Sequence, residues 1–151
     1  MQKLFLKIAL MSLLISCSNN RWNIENQIED YIKKNCETKS QCVIDINEVL
    51  SFEWDSFVVF KETSTSGEVT NVLGMNYPYY EAVEKRIVFL NQEKIVYHDD
   101  VYPSVSSLSN GEIVFEIPDT LNYRFFKSSE FIVNQIPFDK GVYYHLTPIE
   151  N

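Results

Sequence analysis

The segment Lys85–Asp100, KRIVFLNQEKIVYHDD, decides how the rest of the chain is read. Two apolar runs, Ile87 to Leu90 and Ile95 to Tyr97, flank the polar stretch Asn91 to Lys94. Short runs of β-branched and aromatic residues on either side of a polar turn are the pattern of an antiparallel hairpin.

Outward from this hairpin the same kind of segment recurs. Phe57 to Phe60 is apolar without alternation, which predicts a central strand buried on both faces. GEIVFEI (111–117) predicts a strand ended by Pro118, and LNYRFFKSS (121–129), EFIVNQI (130–136) and GVYYHLTPI (141–149) supply up to three more. In CVIDINEVL (42–50), Ile44 and Ile46 alternate with Asp45 and Asn47, predicting a short strand with the polar pair outward.

Two segments are helical. From Trp22 to Lys34 the residues Ile24, Ile28, Tyr31 and Ile32 fall on one face, with Asn19 or Asn20 available as cap. In STSGEVTNVLG (64–74), Ser64 or Ser66 can cap a short helix with Val69, Val72 and Leu73 as its face and Gly74 as its stop. Pro78 makes Tyr77 to Tyr80 a turn, and Ser104 to Asn110 a polar connection. We therefore expect an α+β fold: one domain over 22–151, a largely antiparallel sheet, and an N-terminal helix and a short second helix packed on one face. A β-sandwich would leave the apolar face of the first helix in water.

Ahead of the domain, Lys3 and Lys7 precede an apolar run from Ile8 to Ile15, and the chain turns polar at Ser18. This is a secretory signal pattern, with a core near half the ~20 apolar residues that a spanning helix needs. Leu14-Ile15-Ser16-Cys17 resembles the lipobox of bacterial lipoproteins. That resemblance implies a diacylglycerol thioether on Cys17, cleavage after Ser16 so that 1–16 is a removed signal peptide, and N-acylation, commonly by palmitate. Residues 17–21 would be a tether holding the domain to a membrane of the bacterial cell envelope, periplasmic or outer-membrane associated. The alternative is an ordinary signal peptide in which Cys17 is incidental.

The stretch Phe52 to Gly74 also resembles a pattern in small uncharacterised bacterial lipoproteins. It has a Trp-Asp pair (Trp54-Asp55), a β run ending in Phe60, a Ser/Thr-rich turn (Thr63 to Ser66) and a short helix closing on Leu73-Gly74. Where those proteins often carry an aromatic or Pro-Tyr step, this chain has Glu62-Thr63. Read from its residue types alone, Trp54 fills the edge of the core with its N–H bonded, and Asp55 orders the preceding turn.

With Cys17 lipidated, Cys36 and Cys42 remain as a pair, which in an oxidising envelope suggests a structural disulfide. Free thiols, a redox pair or half of a metal site are the rivals. The five intervening residues are not Cys-x-x-Cys spacing, and His98 and His145 lack ligand spacing, so no metal site is expected.

The chain carries 13 basic and 21 acidic residues, a net charge of −8, and removal of the leader with its two lysines takes this to −10. Such a surface repels phosphate backbones, so no nucleic-acid partner is expected; a protein with a basic patch fits better. His98, Asp99 and Asp100 are the one place where an imidazole and two carboxylates cluster, without a nucleophile or an oxyanion-hole motif. There is no Gly-x-Ser-x-Gly elbow and no Gly-rich phosphate loop, so no enzyme activity and no cofactor are expected. Tyr77, Tyr79, Tyr80, Tyr143 and Tyr144 are the candidate partner-binding residues, because tyrosine supplies large contact area at low entropic cost.

The sequence thus points to a non-enzymatic, protein-binding envelope lipoprotein, with an immunity or inhibitor role as one concrete form. Its rivals are a structural or housekeeping lipoprotein without a dedicated ligand and a hydrolase using His98 with Asp99 or Asp100. Mass spectrometry of the mature amino terminus should show Cys17 as the first residue with its lipid mass, and Cys17→Ser should leave the leader uncut.

Overall fold

In the computed structural model, which describes residues 23–36, 41–102 and 109–150, the hairpin closes more tightly than its polar stretch suggests. Strands β3 (Lys85–Asn91) and β4 (Lys94–Val101) pair through Asn91 and Lys94, leaving only Gln92 and Glu93 as the turn. Both have positive φ, 50° and 60°, which matches the right-handed twist of the flanking strands but is strained for side chains larger than Gly. Asp55 holds this turn: its Oδ2 accepts from Gln92 N at 2.6 Å, and its Oδ1 from Ser56 Oγ at 2.8 Å. The aspartate therefore orders the following hairpin rather than the turn preceding its own strand.

The signal peptide 1–16, Cys17, the tether 17–21, the Asn19 and Asn20 caps and most of the serine-rich connection lie outside the described residues. Asn23 caps α1 (Ile24–Cys36), its Oδ1 accepting from Asn26 N at 2.8 Å. Thr65 caps α3 (Ser66–Leu73), Oγ1 accepting from Glu68 N at 3.2 Å. Ser64, one of the expected caps, is instead buried and donates to Asn122 O. Gly74 stops α3 in the left-handed conformation (φ 66°), as the sequence predicts.

The strand expected over 42–50 covers only its first half. β1 (Gln41–Asp45) ends where the Asp45 side chain accepts from Asn47 N at 2.9 Å and opens the one-turn α2 (Ile46–Val49). A local side-chain bond to the backbone here wins over continued alternation.

The α+β fold with antiparallel-dominated sheets in a single domain is as the sequence predicts. What alternation did not separate is the number of sheets. β2 (Ser56–Lys61), β3, β4 and β6 (Tyr123–Phe126) form one, in the order β4-β3-β2-β6. The other runs β1-β7-β8-β5, with β7 (Glu130–Phe138), β8 (Gly141–Pro148) and β5 (Ile113–Phe115), the last parallel to β8.

Both faces of β2 are buried, and each has its own cover. On one face Phe57 stacks between Phe89 and Phe126, ring centroids 4.8 Å away on either side, and meets Phe115 and Phe131 of the second sheet. Ile24, Ile28 and Ile32 of α1, all fully buried, complete this core, so the helix is no appendage. On the opposite face Val58, Phe60, Val88 and Leu90 lie beneath Val69 and Leu73 of α3 and Tyr77. The two helices thus back different clusters, because a strand apolar on both sides needs two covers.

Trp54 packs edge-on against Phe57 and Phe89 at the rim of the first core, as expected, but its indole N–H has no hydrogen-bond partner among the described residues. Cys36 and Cys42 lie within disulfide-bonding distance, Cα atoms 5.9 Å apart, joining the end of α1 to β1. Closing so short a loop would contribute about 2 kcal/mol in the chain-entropy model.

The Gln92 N–H and then the Ser56 hydroxyl hold the Asp55 carboxyl below its ordinary value of 3.8. A lowered folded-state pKa adds stability that is complete above the unfolded value and disappears as pH falls through the folded one. Asp55→Asn should therefore flatten the acid limb of the stability profile, read by denaturant unfolding between about pH 5 and pH 2.

Candidate functional site

β4 is an outer strand of its sheet, and a groove of about 930 Å³ runs along it. Five consecutive β4 residues, Val96 to Asp100, line that groove. Successive side chains of a strand point to opposite faces, so five in a row can share one groove only if it follows the strand's edge. His98 and Tyr79 mark one wall, where their rings stack at 4.4 Å. Asp99 and Asn23 mark the other, at the start of α1. Tyr102 stands beyond the end of β4.

The register of β3 on β4 shifts between Phe89 and Leu90, which makes Val96 a bulged residue and turns it outward. Six large hydrophobic residues are exposed among the described residues, and three of them, Tyr79 (53%), Val96 (43%) and Tyr102 (58%), line this groove. Their concentration in one place is what distinguishes the groove from scattered surface apolar residues, which are normal.

A buried arginine backs the wall that carries Tyr79 and Tyr80. Arg86 of β3 is 2% exposed; Nε donates to Asp100 Oδ1 at 2.7 Å and Nη2 to Glu81 O at 3.0 Å. Its guanidinium lies 4.8 Å from the Tyr77 ring centroid and 4.9 Å from that of Tyr80. The Tyr80 hydroxyl donates to Ser64 O, and the Tyr102 hydroxyl to Glu81 Oε2 at 2.6 Å. That bond to a carboxylate is the main reason the Tyr102 pKa is raised. Burial, then the Asp100 charge, push the Tyr77 pKa up to about 12 against the opposing pull of Arg86.

The opposite wall is tied to α1. Asp99 Oδ2 accepts from Ile24 N at 3.0 Å, placing a carboxylate at the helix's positive end. One residue on, Glu25 is ion-paired with Lys85, whose ammonium also donates to Ile113 O at 2.7 Å. Burial raises the Glu25 carboxyl above its usual range, and Lys85 pulls it back.

The His98, Asp99 and Asp100 cluster therefore separates in three dimensions. Asp100 belongs to Arg86 on one face and Asp99 to the α1 terminus on the other, while His98 stacks on Tyr79 with no hydrogen bond to its Nδ1 among the described residues. The candidate tyrosines separate too. Tyr79 and Tyr80 line the groove, and Tyr77 is buried beneath it. Tyr144 is buried in the second sheet, and Tyr143 is half-buried there against Phe138. Sequence reasoning passed over Arg86, Glu81, Val96 and Tyr102. Arg86 carried a signal: it shares a strand face with Val88 and Leu90, and a charge on an apolar face needs a partner.

No three His, Cys, Asp or Glu side chains among the described residues converge as a metal-binding set. No helix among them is long and apolar enough to cross a membrane. Neither a family model, nor a curated protein, nor a solved structure matches the chain.

Removing one member of a buried ion pair leaves the other uncompensated, at a loss of about 3–5 kcal/mol. Arg86→Met should destabilise by that order in denaturant unfolding, whereas Tyr79→Ala, at an exposed position, should cost less than about 1 kcal/mol.

Proposed function

We propose that the protein is an envelope-anchored, non-enzymatic binding module, and that the groove along β4 is where it holds a basic protein partner. The observation that carries this reading is the gathering of Tyr79, Val96 and Tyr102 in one groove of a strongly acidic chain. Exposed apolar residues collected in a rim of polar ones favour protein contact, and aromatic side chains are enriched where such contacts are tightest. The acidic surface steers cationic partners toward it and turns polyanions away.

The lipobox resemblance at Leu14 to Cys17 supplies the address, with the bilayer as the second partner through acylated Cys17. An immunity or inhibitor lipoprotein that occludes an incoming basic toxin or hydrolase is the form of this function that fits an anchored, acidic and aromatic binding surface. The divergence of Asp99 and Asp100 favours binding over hydrolysis: Asp99 turns to the opposite face from His98, Asp100 is bonded to Arg86, and neither orients the imidazole as a base's partner would.

Full-length protein immobilised in non-ionic detergent should retain a partner from envelope extracts that is released by salt. A double variant, Tyr79→Ala with Tyr102→Ala, should retain at least about tenfold less of it, with an unchanged unfolding midpoint. Equal retention by both proteins, or capture that is indifferent to salt, would remove the groove from the reading.

A further inference from the structure

The connection between α3 and β3 shows, on its inner side, how this chain holds a guanidinium. Arg86 faces the rings of Tyr77 and Tyr80, 4.8 and 4.9 Å from their centroids, with Nε donating to Asp100 and Nη2 to Glu81 O. Two tyrosine faces, a carboxylate and a carbonyl together satisfy a planar cation that is otherwise costly to bury.

The outer side of the same connection repeats two tyrosines and a carboxylate. Tyr79 and Tyr102 line the groove, both exposed, and the Glu81 carboxylate lies beside Tyr102, its Oε2 accepting from the Tyr102 hydroxyl at 2.6 Å. His98 covers one face of the Tyr79 ring at 4.4 Å, and the residue is still 53% exposed. Among the described residues, Glu81 Oε1 accepts no hydrogen bond, and no lysine or arginine lies over either ring. We propose that Tyr79, Glu81 and Tyr102 form a subsite that receives an arginine side chain of the partner. This rests on the groove being the protein contact and names the group that the contact recognises.

The chemistry favours arginine over lysine. A guanidinium lies flat on a ring while donating in its own plane to a carboxylate, whereas an ammonium is a compact, strongly hydrated point charge. Charge balance favours a cation at this place. Asp100 is neutralised by Arg86, whereas the Glu81 carboxylate has only the Tyr102 hydroxyl among the described residues, in a chain of net charge −8. The chain itself has three arginines, Arg21, Arg86 and Arg124. Arg86 is buried, and Arg124 is paired with Glu116 and Glu150, so a second copy has neither to offer. Arg21 is two residues before Asn23 on the groove wall, but the lipid proposed for Cys17 would draw that stretch toward the bilayer, which leaves the partner as the source.

The test follows NMR shifts of the full-length chain in non-ionic detergent, titrated with N-acetyl-arginine amide, with the lysine amide and the neutral citrulline amide as controls. The arginine amide should shift the Tyr79, Glu81 and Tyr102 resonances and bind at least about threefold more tightly than the lysine amide, and the citrulline amide should not bind. Tyr79→Ala and Glu81→Gln should each weaken it about two- to fivefold with an unchanged unfolding midpoint, since Arg86 uses the backbone oxygen of Glu81 and not its side chain. Equal binding of the lysine and arginine amides at these residues overturns the choice of guanidinium and leaves the groove as a contact for basic proteins. No shift at these residues overturns the subsite, and the wider reading is then decided separately by whether an envelope partner depends on Tyr79 and Tyr102. If the arginine amide binds only after Arg21→Gln, the tether's own arginine is the occupant and the proposal is overturned.

Discussion

The structure depends on one constraint, the burial of β2 on both faces. Phe57, Val58, Val59 and Phe60 are each at most 1% exposed, so neither side of the strand can be left to solvent. The second sheet and α1 satisfy the demand of Phe57 and Val59, and α3 that of Val58 and Phe60. Burying a phenylalanine removes enough apolar surface to contribute about 2–3 kcal/mol, and Phe57 adds stacking on both ring faces. The remaining strands extend outward from this centre, and polar chemistry is displaced to the margins.

The margin at β4 is where that displacement takes a specific form. Beyond the reach of α3 the second cluster would end in open surface, and Arg86 closes it, packed under Tyr77 and Tyr80 and bonded to Asp100. On the other face, Asp99 binds the start of α1. Each acid is therefore committed to a different face of the sheet, Asp100 to Arg86 and Asp99 to the start of α1, and the strand is held from both sides. A strand held in this way keeps the exposed rings beside it in place, and a surface already ordered lowers the entropy that any contact made there would otherwise cost.

Much of this was legible in the chain. The hairpin, the doubly buried strand, the N-terminal helix and the Gly74 stop follow from apolar spacing and turn chemistry, which are local signals. The division into two sheets was not, because strand alternation tells which side chains share a face and not which strand lies beside which. The site was legible only in part. Tyr79 and Tyr80 were found as aromatic residues beside a proline, but Tyr77 and Tyr144 look the same in sequence and are buried. Their fate is set by long-range packing against Arg86 and within β8. Asp99 and Asp100 suggested a joint site by adjacency, yet adjacency within a strand is what sends them to opposite faces. Val96 gained its outward position from a bulge that no residue type announces.

Asn23 lies on the wall of the groove, and Cys17 is six residues before it. With the lipid proposed for Cys17, an extended chain of that length reaches about 20 Å, so the groove could never stand farther than that from the headgroups. Two modules confined to such a layer encounter each other at an effective concentration far above their average in the compartment, in the millimolar range for short tethers. A groove contact of modest intrinsic affinity would then suffice for a partner crossing or residing in the same membrane, and would be weak toward the same partner free in solution. The tether's length, more than the groove's chemistry, would decide which encounters count.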